Sequence, residues 1–383
     1  MLRITRGEES KLTAWYFEID RTLLSLILVL VCVGAVTMIS AGAAQAARMT
    51  PVQPWFYFIQ KAVPAYLIGL TCLFGLSMLN KRQVIRVSIV GLLVGLLGLV
   101  FTVVHPVVLK GSSRWANIGG FSFMPADVLK PSFIILTAWF LAKMHSVYGG
   151  DIFLNKDAWK INKISWWPYL ALFAICIFII FRHPDVGNSL LYVCVLFVML
   201  FVAGFPLKML PAMLGVLGLM AVTALSVMPH VRARAMQMFD VAPRTQVWYS
   251  INSIRHGGLF GSGDESYVKD VLPESTNDFV YSSIAEDWGA FGACLLVVLL
   301  YFILSNLIKH ATLAKDDFVV YAVTGATALF GGQICFNLMT ALHLFINKGM
   351  TLPFVSYGGV SFITFCVLFG MLLAIIREDT WNK

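Results

Sequence analysis

Residues 22–42 read TLLSLILVLVCVGAVTMISAG, twenty-one positions without a charged side chain. At a rise of about 1.5 Å per residue, a helix of that length crosses the ~30 Å hydrocarbon core of a bilayer. Lipid offers no water to backbone amides and carbonyls, so such a run takes the form that pairs them internally, a helix. The stretch before it is polar and mixed in charge, and the run is long enough to span by itself. The run therefore reads as an uncleaved start signal.

Nine further apolar runs of similar length follow, near 57–79, 84–105, 127–145, 166–182, 188–204, 207–228, 282–306, 318–342 and 354–376. The chain of 383 residues is 59% hydrophobic and only 13% charged, where soluble domains carry about a quarter charged residues. The expected architecture is an all-α polytopic membrane protein of about ten transmembrane helices. Residues 1–21 form a polar N-terminal segment and 22–376 one membrane domain. A long loop at about 229–281 joins the seventh and eighth spans, and 377–383 is a short tail. The span count is least secure around 166–204, where only Arg182-His183-Pro184-Asp185 separates two runs.

Ten spans return the chain to the side it left. The basic residues choose that side. Arg3, Arg6, Lys11 and Arg21, then Lys81, Arg82 and Arg86, then Lys143, Lys156, Lys160 and Lys163, then Lys309 and Lys315 all fall in one set of loops. By the positive-inside rule both termini are cytoplasmic and the long loop is on the outer side. This placement also accounts for the formal charge of +8 through anionic lipid and topology, so nucleic acid is not an expected partner. The seven cysteines lie in apolar segments without a C-x-x-C pair and read as buried thiols.

Several chemistries are excluded by pattern. There is no G-x-x-x-x-G-K-[ST] nucleotide loop, no H-E-x-x-H, no zinc spacing among the histidines, and no G-x-S-x-G elbow. The polar residues beside the spans instead form four outer-side groups, and charges at that depth are functional candidates by default. The first is Lys110-Gly-Ser-Ser-Arg114-Trp115, followed by Met124-Pro125-Ala126-Asp127-Val-Leu-Lys130. Asp127 and Lys130 share a helix face, as a pair that either closes the fold or meets a ligand. The second, His183-Pro184-Asp185-Val186-Gly187, offers a helix cap or a site carboxylate at Asp185. The third runs from Lys269 through Leu272-Pro273-Glu274-Ser275-Thr276-Asn277-Asp278-Phe279, where Asp278 is again either a cap or a reactive group. The fourth is KGMTLPFVSYGG at 348–359, a loop with a small-residue packing face or part of the same site. Within the long loop, 236–254 has an amphipathic look, and the glycine-rich 257–263 reads as a turn whose amides offer phosphate contacts.

These four groups, in this order, resemble the SEDS family (shape, elongation, division and sporulation) of polytopic peptidoglycan polymerases. The likeness runs from about 20 to 376. The family's Q-P-S-E-x-x-K looks like Met124 to Lys130, its Q-P-D-x-G like His183 to Gly187, and its L-P-E-x-H-T-D-F like Leu272 to Phe279. Its K-G-x-x-L-P-F-x-S-Y-G-G stands at 348–359. The Lys348-to-Pro353 stretch looks more like the division branch than the elongation branch. Met124, Ala126, Asp127, His183, Thr276-Asn277 and Val360 depart from the pattern.

The resemblance implies an inverting glycosyl transfer that polymerises lipid II with release of undecaprenyl pyrophosphate. Asp278 is then the catalytic base. Arg114, Trp115, Asp127, Lys130, Asp185, Gln246, Arg255, Lys269, Glu274, Lys348 and Ser356 are the candidate substrate-binding residues. The resemblance makes Mg²⁺ or Mn²⁺ an expected helper, without a dedicated metal site in the sequence and without a nucleotide. It implies a class B penicillin-binding protein (a transpeptidase) and other division proteins as partners, at the septum of the bacterial inner membrane. A lipid II flippase, an elongation polymerase and a non-catalytic division scaffold are the alternatives.

Overall fold

A computed structural model describes residues 11–105, 107–109, 112–118, 121–150, 152–160, 164–183, 185–236, 238–239, 243–347 and 349–381. A short surface helix, α1 (Lys11–Glu18), precedes the first long one, α2 (Arg21–Ala47). There follow α3 (Tyr57–Ser77), α4 (Lys81–Val104), α5 (Pro125–Tyr148), α6 (Trp166–Arg182), α7 (Val186–Val202) and α8 (Leu210–Val227). The long loop holds three short helices, α9 (Pro229–Met236), α10 (Gln246–Gly257) and α11 (Val268–Val271). The chain ends with α12 (Val280–Leu313), α13 (Asp317–Ala341) and α14 (Gly359–Trp381).

Among the described residues eight helices are long and apolar enough to cross a membrane, and α6 and α7 are shorter apolar helices. These ten elements coincide with the ten expected runs. The two short ones occupy 166–204, where the sequence left the count least secure; each has 17 residues, the lower limit for a spanning helix. The last helix begins at Gly359 rather than near 354, because 352–356 is a turn: the Val355 and Ser356 amides both donate to the Leu352 carbonyl.

Between α4 and α5 the chain forms a small antiparallel sheet that the sequence reading treated as loop. Its strands are β1 (Val107–Leu109), β2 (Ser112–Ile118) and β3 (Phe121–Phe123), in the order β1-β2-β3. Trp115 pairs with Val107, and Ala116 with Phe123.

Helices α5, α13 and α14 are mostly buried and form the centre, while α3 and α8 lie at the rim. Within lipid, packing must come from close contact rather than from expelling water. Gly91, Gly95 and Gly98 make a small-residue stripe on α4 that lies directly against Ser132, Leu129 and Pro125 of α5. Side chains at these three positions would push α5 away.

The start of α2 and the end of α14 lie at one end of the bundle, and the ion pairs there tie the helix ends together. Lys81 meets Asp316 at 2.8 Å, and the Lys81 amide donates to Glu378 at 2.7 Å. His310 donates to Asp20 at 2.5 Å, and Asp20 also caps α2 by accepting from the Leu23 amide. The β-sheet and the long loop gather at the opposite end.

Candidate functional site

At that opposite end the structure opens a cavity of about 620 Å³ lined by α3, α5, α7, α13 and the loops before α12 and α14. Trp115, Asp127, Lys130, Asp185, Gln246, Glu274 and Asp278 all face it. Seven candidates scattered over 164 residues of sequence thus share one space.

Lys130 and Asp127 lie a turn apart at the start of α5, where Pro125 opens the helix. Their side chains meet at 2.6 Å and are almost wholly buried. The ammonium also donates to the Gln333 carboxamide oxygen of α13 at 3.2 Å. Gln333 in turn donates to the Thr351 carbonyl at 2.9 Å, and the Thr351 hydroxyl meets Ser361 at 2.9 Å. One chain of polar contacts therefore runs from α5 through α13 to the loop before α14.

Asp185 is the cap of α7. Its carboxylate accepts from the Asn188 amide at 3.3 Å and from the Asn188 side chain at 2.9 Å. Cap and cavity wall are here the same residue, so the two readings of the sequence hold together. His183 turns away and meets Thr102 of α4 at 3.0 Å. Burial lowers the pKa of its imidazole and favours the neutral form.

Asp278 is not a cap. The cap position of α12 is Phe279, which has no side-chain bond to the helix. Asp278 stands one residue earlier, in a turn clamped from four directions. Glu274, at φ 58°, accepts the Asn277 amide at 3.0 Å on its carbonyl and the Asn277 side chain at 2.7 Å on its carboxylate. Thr276 donates to Gln45 of α2 at 2.5 Å, and the Tyr357 amide donates to the Thr276 carbonyl at 2.8 Å. Ser356 donates to the Asn277 carbonyl at 2.6 Å. Asn337 of α13 donates to the Asp278 carbonyl at 2.9 Å and to that of Met350 at 2.7 Å. Such a surround fixes the backbone on both sides of Asp278 and directs its carboxylate into the cavity.

The glycine-rich 257–263 does not offer its amides to the cavity. The Gly261 and Ser262 amides donate within the protein, to Gly257 and Glu286 at 2.8 Å each. This segment instead fills a break in α12 at Gly289, whose φ of 68° and ψ of −172° suit only glycine. The Ala290 and Phe291 amides, freed by the break, donate to Gly258 at 2.9 Å and Leu259 at 3.1 Å. Gly257, Gly261 and Gly289 lie so close to facing backbone that none has room for a Cβ.

Glu286, wholly buried, anchors the rest of the loop. It accepts from the amides of Tyr267, Val268 and Lys269 at 3.0, 2.8 and 2.6 Å, from His256 at 3.0 Å, and from Ser253.

Three candidates are not at the cavity. Lys269 is drawn into a buried pair with Asp287 and donates to Ser40 of α2 at 2.7 Å. Ser356 spends its hydroxyl on the Asn277 carbonyl and the Leu352 amide. Arg255 is exposed on α10, two residues from buried Ser253 and so on the opposite face. Lys348 lies outside the described residues, although its neighbours Asn347 and Gly349 line the cavity. Arg114 is in β2, and its side chain lies outside the described part.

The cavity also holds residues the sequence reading passed over: Lys61 of α3 and Arg234 of α9 add cations, and Gln333 of α13 a carboxamide. Asn188, Thr351 and Tyr357, which lie in or beside the motif groups, add further polar atoms. Lys61 and Gln333 carried a signal: each is a polar residue within an apolar run. Arg234 carried none, being one of several basic residues in a long loop.

Residues 21–380 match the FtsW–RodA–SpoVE family, described as cell cycle proteins. A probable peptidoglycan glycosyltransferase FtsW of Caulobacter vibrioides is 29% identical over 379 residues, covering 97% of this chain and 93% of the relative. A protein of the same name from Geobacter sulfurreducens is 27% identical, covering 93% and 94%. Among solved structures, a chain of a peptidoglycan synthase complex, studied for how polymerization and crosslinking are coordinated, superposes with a TM-score of 0.73 at 23% identity, covering 95% of this chain and 99% of that one. The rod shape determining protein RodA of Thermus thermophilus superposes at 0.66 and 23%, covering 95% and 98%. The last two likenesses establish a shared fold.

Proposed function

The chain belongs to the FtsW–RodA–SpoVE family of cell cycle proteins, and on that premise we propose that it is a peptidoglycan glycosyltransferase that polymerises lipid II. The observation that carries the reading is the clamped turn at 272–279, which directs Asp278 into a cavity that also receives Lys61, Lys130 and Arg234.

The chemistry needs a base and a sink for negative charge. The 4-hydroxyl of an acceptor GlcNAc attacks the anomeric carbon of a donor MurNAc. The bond from that carbon to the pyrophosphate oxygen breaks, and the configuration inverts. Asp278 takes the hydroxyl proton, a contribution of roughly 10²–10⁴-fold for a positioned base. Undecaprenyl pyrophosphate leaves as an anion and needs no proton. Lys61 and Arg234 supply the positive charge that stabilises it. Lys130 is neutralised by Asp127 and serves to position the wall. The polyprenyl tail stays in the leaflet next to the cavity.

Among the described residues no three His, Cys, Asp or Glu side chains converge as a metal site. An assisting Mg²⁺ or Mn²⁺ would instead be held by one or two of the cavity carboxylates together with the pyrophosphate of the substrate, and would add positive charge at the leaving group. A division role at the septum, beside a class B penicillin-binding protein, is part of the same proposal; the match to cell cycle proteins and the fold shared with a chain of a complex that coordinates polymerization and crosslinking are consistent with it.

The test is lipid II polymerisation by the purified protein with its cognate transpeptidase, wild type against Asp278→Ala and Asp278→Asn. Both variants are expected to fold and to lose at least about 10²-fold in rate. Normal polymerisation by Asp278→Asn would remove Asp278 from the role of base. Glycan formed in detergent, where no second compartment exists, distinguishes the polymerase from a flippase.

A further inference from the structure

A second cavity lies on the flank of the bundle, with one end on the side of the termini. It is a groove of about 340 Å³ between α4, α5 and α6. Leu92, Phe133, Leu172 and Phe173 make its wall, and its terminus-side end carries Lys143 and Ser165. We propose that this groove holds one acyl chain of a phospholipid from that leaflet, with the lipid phosphate bound by Ser165, the first turn of α6 and Lys143.

Ser165 is the observation that points to a ligand. It occupies the cap position of α6, yet its side chain makes no cap bond. It is 2% exposed, it lines the groove, and its hydroxyl has no hydrogen-bond partner among the described residues. A buried hydroxyl without a partner is costly, and a phosphate oxygen would supply the acceptor it lacks. The same phosphate would meet the amides of the first turn of α6, which no helical carbonyl can reach.

Charge and dimensions fit this occupant. Lys143 is exposed at the mouth, on the side where basic residues collect and anionic headgroups attract them. The groove runs about 16 Å along α6 from Ser165 to Cys176 and about 21 Å along α5 from Lys143 to Leu129 at helical rise, at least the depth of one leaflet of the ~30 Å hydrocarbon core. A neighbouring transmembrane helix, its backbone groups paired within itself, brings no acceptor to Ser165.

Native mass spectrometry of the full chain in detergent tests this, with dioleoylphosphatidylglycerol and dioleoylglycerol as probes. The two share their chains and differ in the phosphate. The wild type is expected to retain one phosphatidylglycerol and roughly tenfold less dioleoylglycerol, the effect of one hydrogen bond to a charged group. Ser165→Ala should lower phosphatidylglycerol retention to the dioleoylglycerol level. Leu172→Trp, which fills the groove from its lipid-facing wall, should abolish retention of both, with thermal unfolding unchanged in each variant. Equal retention of the two lipids, retention of neither, or variants that hold phosphatidylglycerol as the wild type does would each overturn the proposal.

Discussion

Lys130 of α5 donates to Gln333 of α13 at 3.2 Å while paired with Asp127 at 2.6 Å. The pair is therefore more than a local link within one helix. Through Gln333 and Thr351 it reaches the loop that carries Gly349 past Asp278. Removing one charge strands the other away from water, at a cost of about 3–5 kcal/mol. We expect Lys130→Met to unfold well below the wild-type temperature. The double variant Asp127→Leu/Lys130→Met should regain most of that loss yet polymerise poorly, because Gln333 has lost its partner. Thermal unfolding in detergent alongside lipid II turnover checks both halves.

Gly349 has φ 65°, and a Cβ there would lie 2.9 Å from the Asp278 carboxylate. Gly349→Ala then meets two penalties, about 1–2 kcal/mol for the left-handed backbone and a displaced carboxylate. A loss of roughly tenfold or more in rate, with the fold retained, is expected. Wild-type turnover by this variant would show that the carboxylate is free to relocate.

Glu286 accepts three backbone amides at the start of α11. Glu286→Leu leaves those donors buried and unmade, each at about 1–3 kcal/mol. The expected result is a membrane bundle that persists while the segment 258–279 becomes sensitive to protease. Limited proteolysis of the solubilised protein, followed by mass mapping, would show whether cleavage concentrates there.

Asp20 supplies a pH dependence. Burial by itself would raise its carboxyl, but hydrogen bonds from His310 and the Leu23 amide, with the charge on His310, outweigh it, and the pKa is lowered from 3.8. A lowered carboxylate stabilises the fold at pH above the unfolded value, and the benefit disappears as pH falls through the folded value. Wild type should therefore lose stability below about pH 4 more steeply than Asp20→Asn, whose curve starts lower and stays flatter. Unfolding midpoints between pH 6 and pH 3 report the difference.

The ten helices were legible because each is a long apolar run whose solvent is lipid, and a span needs no knowledge of its neighbours. The cavity residues in motifs, from Trp115 to Asp278, were legible through their resemblance to a family. What escaped depends on which side chain finds which partner. Lys269 and Lys61 look alike in sequence, yet Lys269 is taken by Asp287 and Ser40 while Lys61 faces the cavity. The small sheet escaped because two of its strands have only three residues, too few for alternation to show, and the register of β1 on β2 shifts between Val107 and Leu109. The turn at 257–263 was legible as a turn, but its partner, the break at Gly289, lies in the middle of an apolar run and is visible only once the two backbones meet.

That meeting of Gly257, Gly261 and Gly289 separates two kinds of inheritance. The three glycines preserve a shape and contribute no reactive atom, whereas Asp278, in the role proposed for it, contributes a reactive atom and little shape. A homologue that kept the glycines and exchanged the aspartate would pass for this protein in any comparison of outlines while having abandoned its trade. Genome surveys that score the two features separately would pick out such retired copies, which a search by overall likeness counts as active.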